Sequence, residues 1–284
     1  MAKIGIVTDS TCDLRPEELA ALDVAMVPLT VHFGETSFRD WLDLTPEEFY
    51  PRLKAFSGLP TTSQPSPADF TAAYTALADQ GVEEIVSIHL SAALSGTCES
   101  ALLAAKTSPV PIRVVDGKKA SQATALIVKA AVEARAQGKS AEEIEARAVA
   151  VSESCRLYFL LDTLDNLVKG GRAGKATGLA ASLLNIKPVL QVNRDGIIEP
   201  FKKVKGRAKA MSVLAQHVAD DSAANGRMRI ALLHACCESD AAELEAAIRA
   251  AGADVEWDSH GVIGAVIGVY TGEGAMGCTY YPVG

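Results

Sequence analysis

The chain has 284 residues, 49% of them apolar but only 5% aromatic, so its core rests on aliphatic side chains and its length suits two domains of ordinary size. A net charge of −8 argues against a nucleic-acid surface and gives no reason to expect an anionic membrane partner. Six cysteines without CxxC or framework spacing, a start at Lys3 that enters a strand with no signal-peptide segment, and a longest apolar run of residues 262–270 that is far too short to span a bilayer together predict a cytoplasmic protein with no transmembrane segment.

In chain order, residues 3–7 read as a strand running into the polar loop Thr8-Asp9-Ser10-Thr11. A short helix follows at 16–22, then one or two strands over 24–33 around Pro28. Thr45-Pro46-Glu47-Glu48 is a capping box with proline at the first helical position, opening a helix to about residue 56. Thr61-Thr62-Ser63-Gln64-Pro65 is extended, because the residue before a proline avoids the helical region, and Ser66-Pro67 caps the next helix. Residues 83–90 are a β-branched apolar run of strand length, followed by the loop 91–97 and a helix from Cys98. Ser95 is placed as the N-cap of that helix, and Gly96 lets backbone come close to a ligand. A helix N-terminus at the carboxyl end of a buried strand is where open α/β sheets bind ligands, anions especially. A strand at 112–115 and helices at 119–136 and 140–154 complete an alternation that predicts a doubly wound parallel sheet.

Beyond residue 155 the pattern changes. A strand at 156–161 and a short helix at 163–169 lead into the glycine-rich basic break Gly170-Gly171-Arg172-Ala173-Gly174-Lys175. A helix around 176–184 precedes a strand at 187–192, and Asn193-Arg194-Asp195-Gly196 signals a hairpin returning over 197–204. Helices at 206–221 and 240–251 flank a strand at 228–233, with strands at 255–257, 262–269 and 278–282 to finish. The expected fold is α/β in two domains: residues 1–155 doubly wound, residues 156–284 α+β.

Gly272–Gly277 matches GxGxxG, but no helix and no acidic residue about twenty positions on follow it, so a dinucleotide site is not expected. Its glycines are better read as letting backbone pass close to a ligand or another strand. His32, His89, His217, His234 and His260 are scattered without metal-ligand spacing, and no phosphate-cradling GxxxxGK[ST] loop occurs. Ser95 as a nucleophile, in an esterase or acyltransferase, would need a base that the sequence does not visibly supply. The basic run Lys202–Lys209 is either a solvated helix start or a docking patch for an acidic partner or phosphate group.

Thr8-Asp9-Ser10-Thr11, Thr62-Ser63-Gln64-Pro65, Leu94-Ser95-Gly96-Thr97, Lys169-Gly170-Gly171-Arg172, Leu184-Asn185-Ile186-Lys187-Pro188 and Gly272–Gly277 occur in that order. Six such motifs in register resemble the DegV family of bacterial fatty-acid-binding proteins, over nearly the whole chain. The resemblance implies a non-enzymatic protein that holds one long-chain fatty acid between its two domains, as a ligand and with no cofactor expected, and presents it to the catalytic subunit of a fatty acid kinase for acyl-phosphate formation. It implies carboxylate binding by Ser95 and Thr62, with Thr61, Ser63 and Gly96 beside them, and partner docking through Arg172, Lys205 and Arg207. Tyr270 stands where the family usually has histidine, Glu273 where it often has proline, and Lys205 where an arginine helps contact the kinase; the first two changes leave a binder of another amphiphile as a further alternative, and the third bears on the partner. Removing an acyl chain from water is favourable by ~0.8 kcal/mol per methylene, so a palmitate-length tail contributes on the order of 10 kcal/mol before ordering costs. The head group then needs only enough hydrogen bonds to avoid an unpaired carboxylate. Neither hydroxyl cluster contains Lys or Arg, which predicts a neutral cradle that leaves the carboxylate free to attack a phosphoryl donor.

Overall fold

A computed structural model describes residues 2–182 and 187–283. Leu184, Asn185 and Ile186 of the fifth motif lie outside the described residues. The first half carries β1 (Ile4–Asp9), β2 (Val24–Val27), β3 (Thr30–Phe33), β4 (Thr36–Arg39), β5 (Thr61–Ser63), β6 (Glu84–His89) and β7 (Ile112–Asp116). Four of these form a parallel sheet in the order β2-β1-β6-β7. Alternation sends Ile6, Val86, Ile88 and Val115 to one face, against helices Gln122–Ala136 and Ala141–Ser154. Val7, Val27 and Ile85 face the other way, onto Phe70 and Tyr74 of helix Pro67–Asp79 and Ala101 and Ala104 of helix Thr97–Ala105. Helices thus cover both faces, as a doubly wound sheet requires.

The parallel sheet does not take up every strand of this half. β3 pairs antiparallel with both β4 and β5, making a separate three-stranded sheet whose tight turn passes through Gly34 at φ +63. β4 escapes a sequence reading because Thr36-Ser37-Phe38-Arg39 is largely exposed and has no apolar alternation. This small sheet matters, because β5 carries Thr62.

The second half carries β8 (Arg156–Leu160), β9 (Lys187–Val192), β10 (Ile198–Val204), β11 (Met228–His234), β12 (Val255–Val262) and β13 (Met276–Pro282), ordered β10-β9-β8-β13-β11-β12. Only β11 and β12 pair in parallel. Tyr158, Leu160, Val189, Ile230 and Leu232 pack under helices Arg207–Asn225 and Glu238–Ala250. Leu157, Phe159, Leu190, Val192 and Leu233 face the first half and join the cluster that contains Ile6 and Ile88. All strands of this sheet follow residue 155, yet the apolar core runs continuously past that point.

Two expected elements differ. Of residues 176–184, read as an α-helix, 176–182 fall in a 3-10 helix, Gly174–Ser182, and 183–184 lie outside the described residues. Residues 262–269, read as a strand, instead end β12 and form helix Ala265–Thr271. A short continuous apolar run gives the same signal for a buried strand and a buried helix, and Ala265, Val266, Gly268 and Val269 are all buried. The start of this helix is held by carboxylates from the first half: the Gly264 amide donates to Asp13 Oδ1 at 3.0 Å and the Ala265 amide to Asp40 Oδ1 at 3.1 Å. Burial pushes the Asp40 carboxyl up to about 7 and that of Asp13 well above the usual carboxylate range.

The terminal glycines serve backbone geometry. Gly272 and Gly274 have φ of +73 and +79, and a Cβ on Gly277 would sit 2.2 Å from the Tyr158 carbonyl of the neighbouring β8.

Candidate functional site

A cavity of about 260 Å³ lies among the carboxyl end of β6, strand β5, the inner face of β8, β9 and β11, and helix Ala265–Thr271. Its walls are mainly apolar, with Leu90, Leu94, Leu157, Phe159, Leu233 and Ile263 among them. Its polar lining comes from motifs far apart in sequence, including Thr62, Ser95, Arg172 and Tyr270.

Contacts between these residues gather them into one place. The Thr62 and Tyr270 hydroxyls share a hydrogen bond of 2.5 Å. The Arg172 guanidinium lies over the Tyr270 ring, 5.0 Å from its centroid. Arg172 Nε donates to the Leu94 carbonyl at 3.3 Å and Nη1 to that of Gly170 at 2.8 Å, tying the basic break to the loop that carries Ser95. A Cβ at Gly170 would meet the Tyr270 ring at 2.5 Å, so glycine there is what allows the ring its position. With two of five guanidinium donors used by carbonyls, Arg172 keeps donors for a ligand.

Ser95 does not cap the helix. The amides of Leu94 and Ser95 both donate to the Ser91 carbonyl, so Ser95 is inside a tight turn and the helix starts at Thr97, with Gly96 at the cap position. The Ser95 hydroxyl pairs with that of Thr97 at 2.9 Å. Gly96 does not line the cavity; its carbonyl accepts from Gln64 Nε2 at 3.1 Å, and Gln64, which sequence reading did not single out, does line it. Ser63 borders the cavity, but its hydroxyl is 3.0 Å from His32 Nε2. Thr61, at the start of β5, is exposed and outside the lining.

The basic candidates separate as well. Arg172 lines the cavity rather than standing free as a docking residue, and the expected neutral cradle is therefore not what the fold builds. Arg207 is committed internally: it pairs with Asp240, lies 3.3 Å from Asp162 and donates to the Gly274 carbonyl at 2.7 Å. Lys205 is exposed just before helix Arg207–Asn225, and Glu273 is exposed outside the lining.

His89 is not available to Ser95. It is fully buried, with Nδ1 3.0 Å from Asp9 Oδ2 and Nε2 2.7 Å from Ser87 Oγ, which in turn lies 2.9 Å from the Tyr74 hydroxyl. Asp9 also accepts from the amides of Thr11 and Leu90, each at 3.0 Å. The Thr8–Thr11 motif thus fastens the carboxyl ends of β1 and β6 to each other. Among the described residues there is no cluster of His, Cys, Asp and Glu that could hold a metal, and no helix long and apolar enough to cross a membrane.

Comparison with known proteins agrees with the motifs. The family profile described as "Uncharacterised protein, DegV family" matches residues 3–283. The chain belongs to the DegV family. A DegV domain-containing protein of Deinococcus radiodurans is 40% identical over 282 residues, 99% of each chain. The structure of a fatty-acid-binding DegV family protein from Thermus thermophilus superposes with a TM-score of 0.93 at 34% identity, covering 99% of this chain and 100% of the other. That of DegV from Bacillus subtilis, a fatty acid binding protein, gives 0.89 at 33% identity over the full length of both.

Proposed function

We propose that this DegV protein binds one long-chain fatty acid in the cavity, with its carboxylate at Thr62, Ser95, Tyr270 and Arg172 and its tail against the apolar walls. The observation that carries this reading is the Thr62–Tyr270 hydroxyl pair with Arg172 stacked on it, a polar cluster opening into an otherwise apolar cavity. The fatty-acid-binding relatives from Thermus and Bacillus support it. Tail burial supplies the affinity, and the polar cluster fixes the end at which the carboxylate sits.

The protein is a carrier, not an enzyme. Acting in the cytoplasm without a cofactor, it presents the carboxyl to the catalytic subunit of a fatty acid kinase, which forms the acyl phosphate; Lys205 is the exposed cation left for that docking. A hydrolase reading is disfavoured because Ser95 Oγ is paired with Thr97 and His89 is held by Asp9 and Ser87.

The test is to denature the purified protein, extract it with organic solvent and identify the released molecules by mass spectrometry. A stoichiometric fatty acid is expected. If none is found and none is taken up from added oleate or palmitate, the assignment falls. The kinase step is checked by mixing the oleate-loaded protein with a fatty acid kinase catalytic subunit and ATP and measuring acyl phosphate.

A further inference from the structure

A second cleft, of about 350 Å³, lies on the other side of Val192, which lines both it and the lipid cavity. Its lining includes Lys119, Arg156 and Arg194. Lys119 is 1% exposed, yet its ammonium makes a single hydrogen bond, 3.3 Å to the Lys118 carbonyl, and pairs with no carboxylate among the described residues. An ammonium has three donors, and burying it unpaired is costly. Burial pushes the Lys119 pKa down, and the like charges of Arg156 and Lys118 add to it while Asp116 partly offsets them.

Neither arginine is neutralised. Arg156 Nη1 donates to the carbonyls of Glu153, Ser154 and Cys155 at the end of helix Ala141–Ser154, at 3.2, 3.0 and 3.4 Å, and has no ion pair with a carboxylate among the described residues. Arg194, exposed at the tip of the β9–β10 hairpin, has no ion pair among the described residues. Of the two acidic residues lining the cleft, Glu199 is taken by Lys175 at 2.9 Å, Gln191 and Asn193, which leaves Asp195 against three cations.

The backbone that presents Lys119 is held in an unusual form. Lys118 and Ser121 have φ of +50 and +55, a region that side-chain-bearing residues rarely occupy. Surrounding bonds impose it: the Ser91 amide donates to the Lys119 carbonyl, the Ser121 amide to that of Thr11 and Ser152 Oγ to that of Gly117, at 2.8, 2.8 and 2.6 Å. A strained, firmly pinned loop that buries a lysine next to two unpaired arginines is a preorganised site for negative charge.

We propose that this cleft binds a small oxyanion of phosphate or sulfate size, with Lys119 as the buried contact and Arg156 and Arg194 closing over it. The site shares no polar residue with the lipid cluster, so it stands or falls apart from the fatty-acid reading.

The experiment is isothermal titration of the intact protein with inorganic phosphate, with sodium chloride holding ionic strength constant, in the wild type, Lys119→Met and Arg194→Ala. One saturable site per chain is expected in the wild type, lost in K119M and weakened several-fold in R194A. No saturable binding in the wild type overturns the proposal, and so does binding by a folded K119M equal to that of the wild type. Should K119M fail to fold, the exposed R194A decides: unchanged affinity overturns the proposal and weakened affinity supports it.

Discussion

Asp9, Tyr74, Ser87 and His89 form one polar cluster, and Thr62, Ser95, Arg172 and Tyr270 form another; each has hydroxyls, a tyrosine and ionisable groups. In the first, the four side chains are linked in series by hydrogen bonds, and all four residues are fully buried. In the second, two hydroxyls share one bond and Arg172 is half-buried with donors to spare. Residue types do not tell a structural polar cluster from a binding one; an account of donors and acceptors does, because a buried group without a partner is too costly to keep unless a ligand completes it.

The largest effect should come from breaking the first cluster. Asp9→Ala strips the acceptor from His89, Thr11 and Leu90 at once, and a loss on the order of 3 kcal/mol in urea unfolding is expected. A loss under about 0.5 kcal/mol would mean that cluster is not structural.

The next concerns Asp40, a third kind of buried polar group, held for its amide bonds at a helix start. Its carboxyl rises from an unfolded value of about 4 to about 7 when folded. Its contribution to stability is therefore fully present below pH 4, declines as pH rises toward 7 and is flat above; the buried Asp13 acts in the same direction. Denaturation midpoints measured from pH 4.5 to 8 should fall with pH in this window, and Asp40→Asn should flatten the slope.

Opening the second cluster should leave the fold alone and change binding. Thr62→Val and Tyr270→Phe are each expected to weaken lipid affinity by about 1 kcal/mol, roughly fivefold, with the double variant less than additive because the two hydroxyls share one bond. Displacement of a fluorescent fatty acid measures both; full additivity would show that they bind the head group separately. Smallest of all, Glu273→Gln should leave affinity within about twofold, because its side chain is exposed outside the cavity. A larger change would extend the polar cluster to the terminal motif.

Much of the fold was readable because β6 and its neighbours carry unbroken β-branched runs and the helices have capping boxes at Thr45, Ser66 and Ser140. Helix Ala265–Thr271 was not, since an apolar run of that length has no period to betray it and its start is fixed by Asp13 and Asp40, more than 200 positions away. Thr62, Ser95 and Tyr270 were legible as candidates from motifs. Arg172 was assigned to the outside because proximity to Tyr270 cannot be counted along the chain; the one local hint was the Gly170-Gly171 pair before it, which admits a ring against the backbone.

β13 sits between β8 and β11, in the interior of the second sheet, although it comes last of the described strands in chain order. On the ribosome, β8 and β11 emerge with the edges they will give to β13 still unpaired, and Asp13 and Asp40 emerge more than 200 residues before the amides they hold. Vectorial synthesis therefore cannot finish this protein piece by piece: its earliest carboxylates find their partners only once residues 264 and 265 are out, and the middle of its sheet fills only when β13 follows. A nascent chain arrested before residue 264 should remain open to protease at β8 and β11, and shortening the chain to residue 275 would remove the middle of a sheet rather than trim its edge.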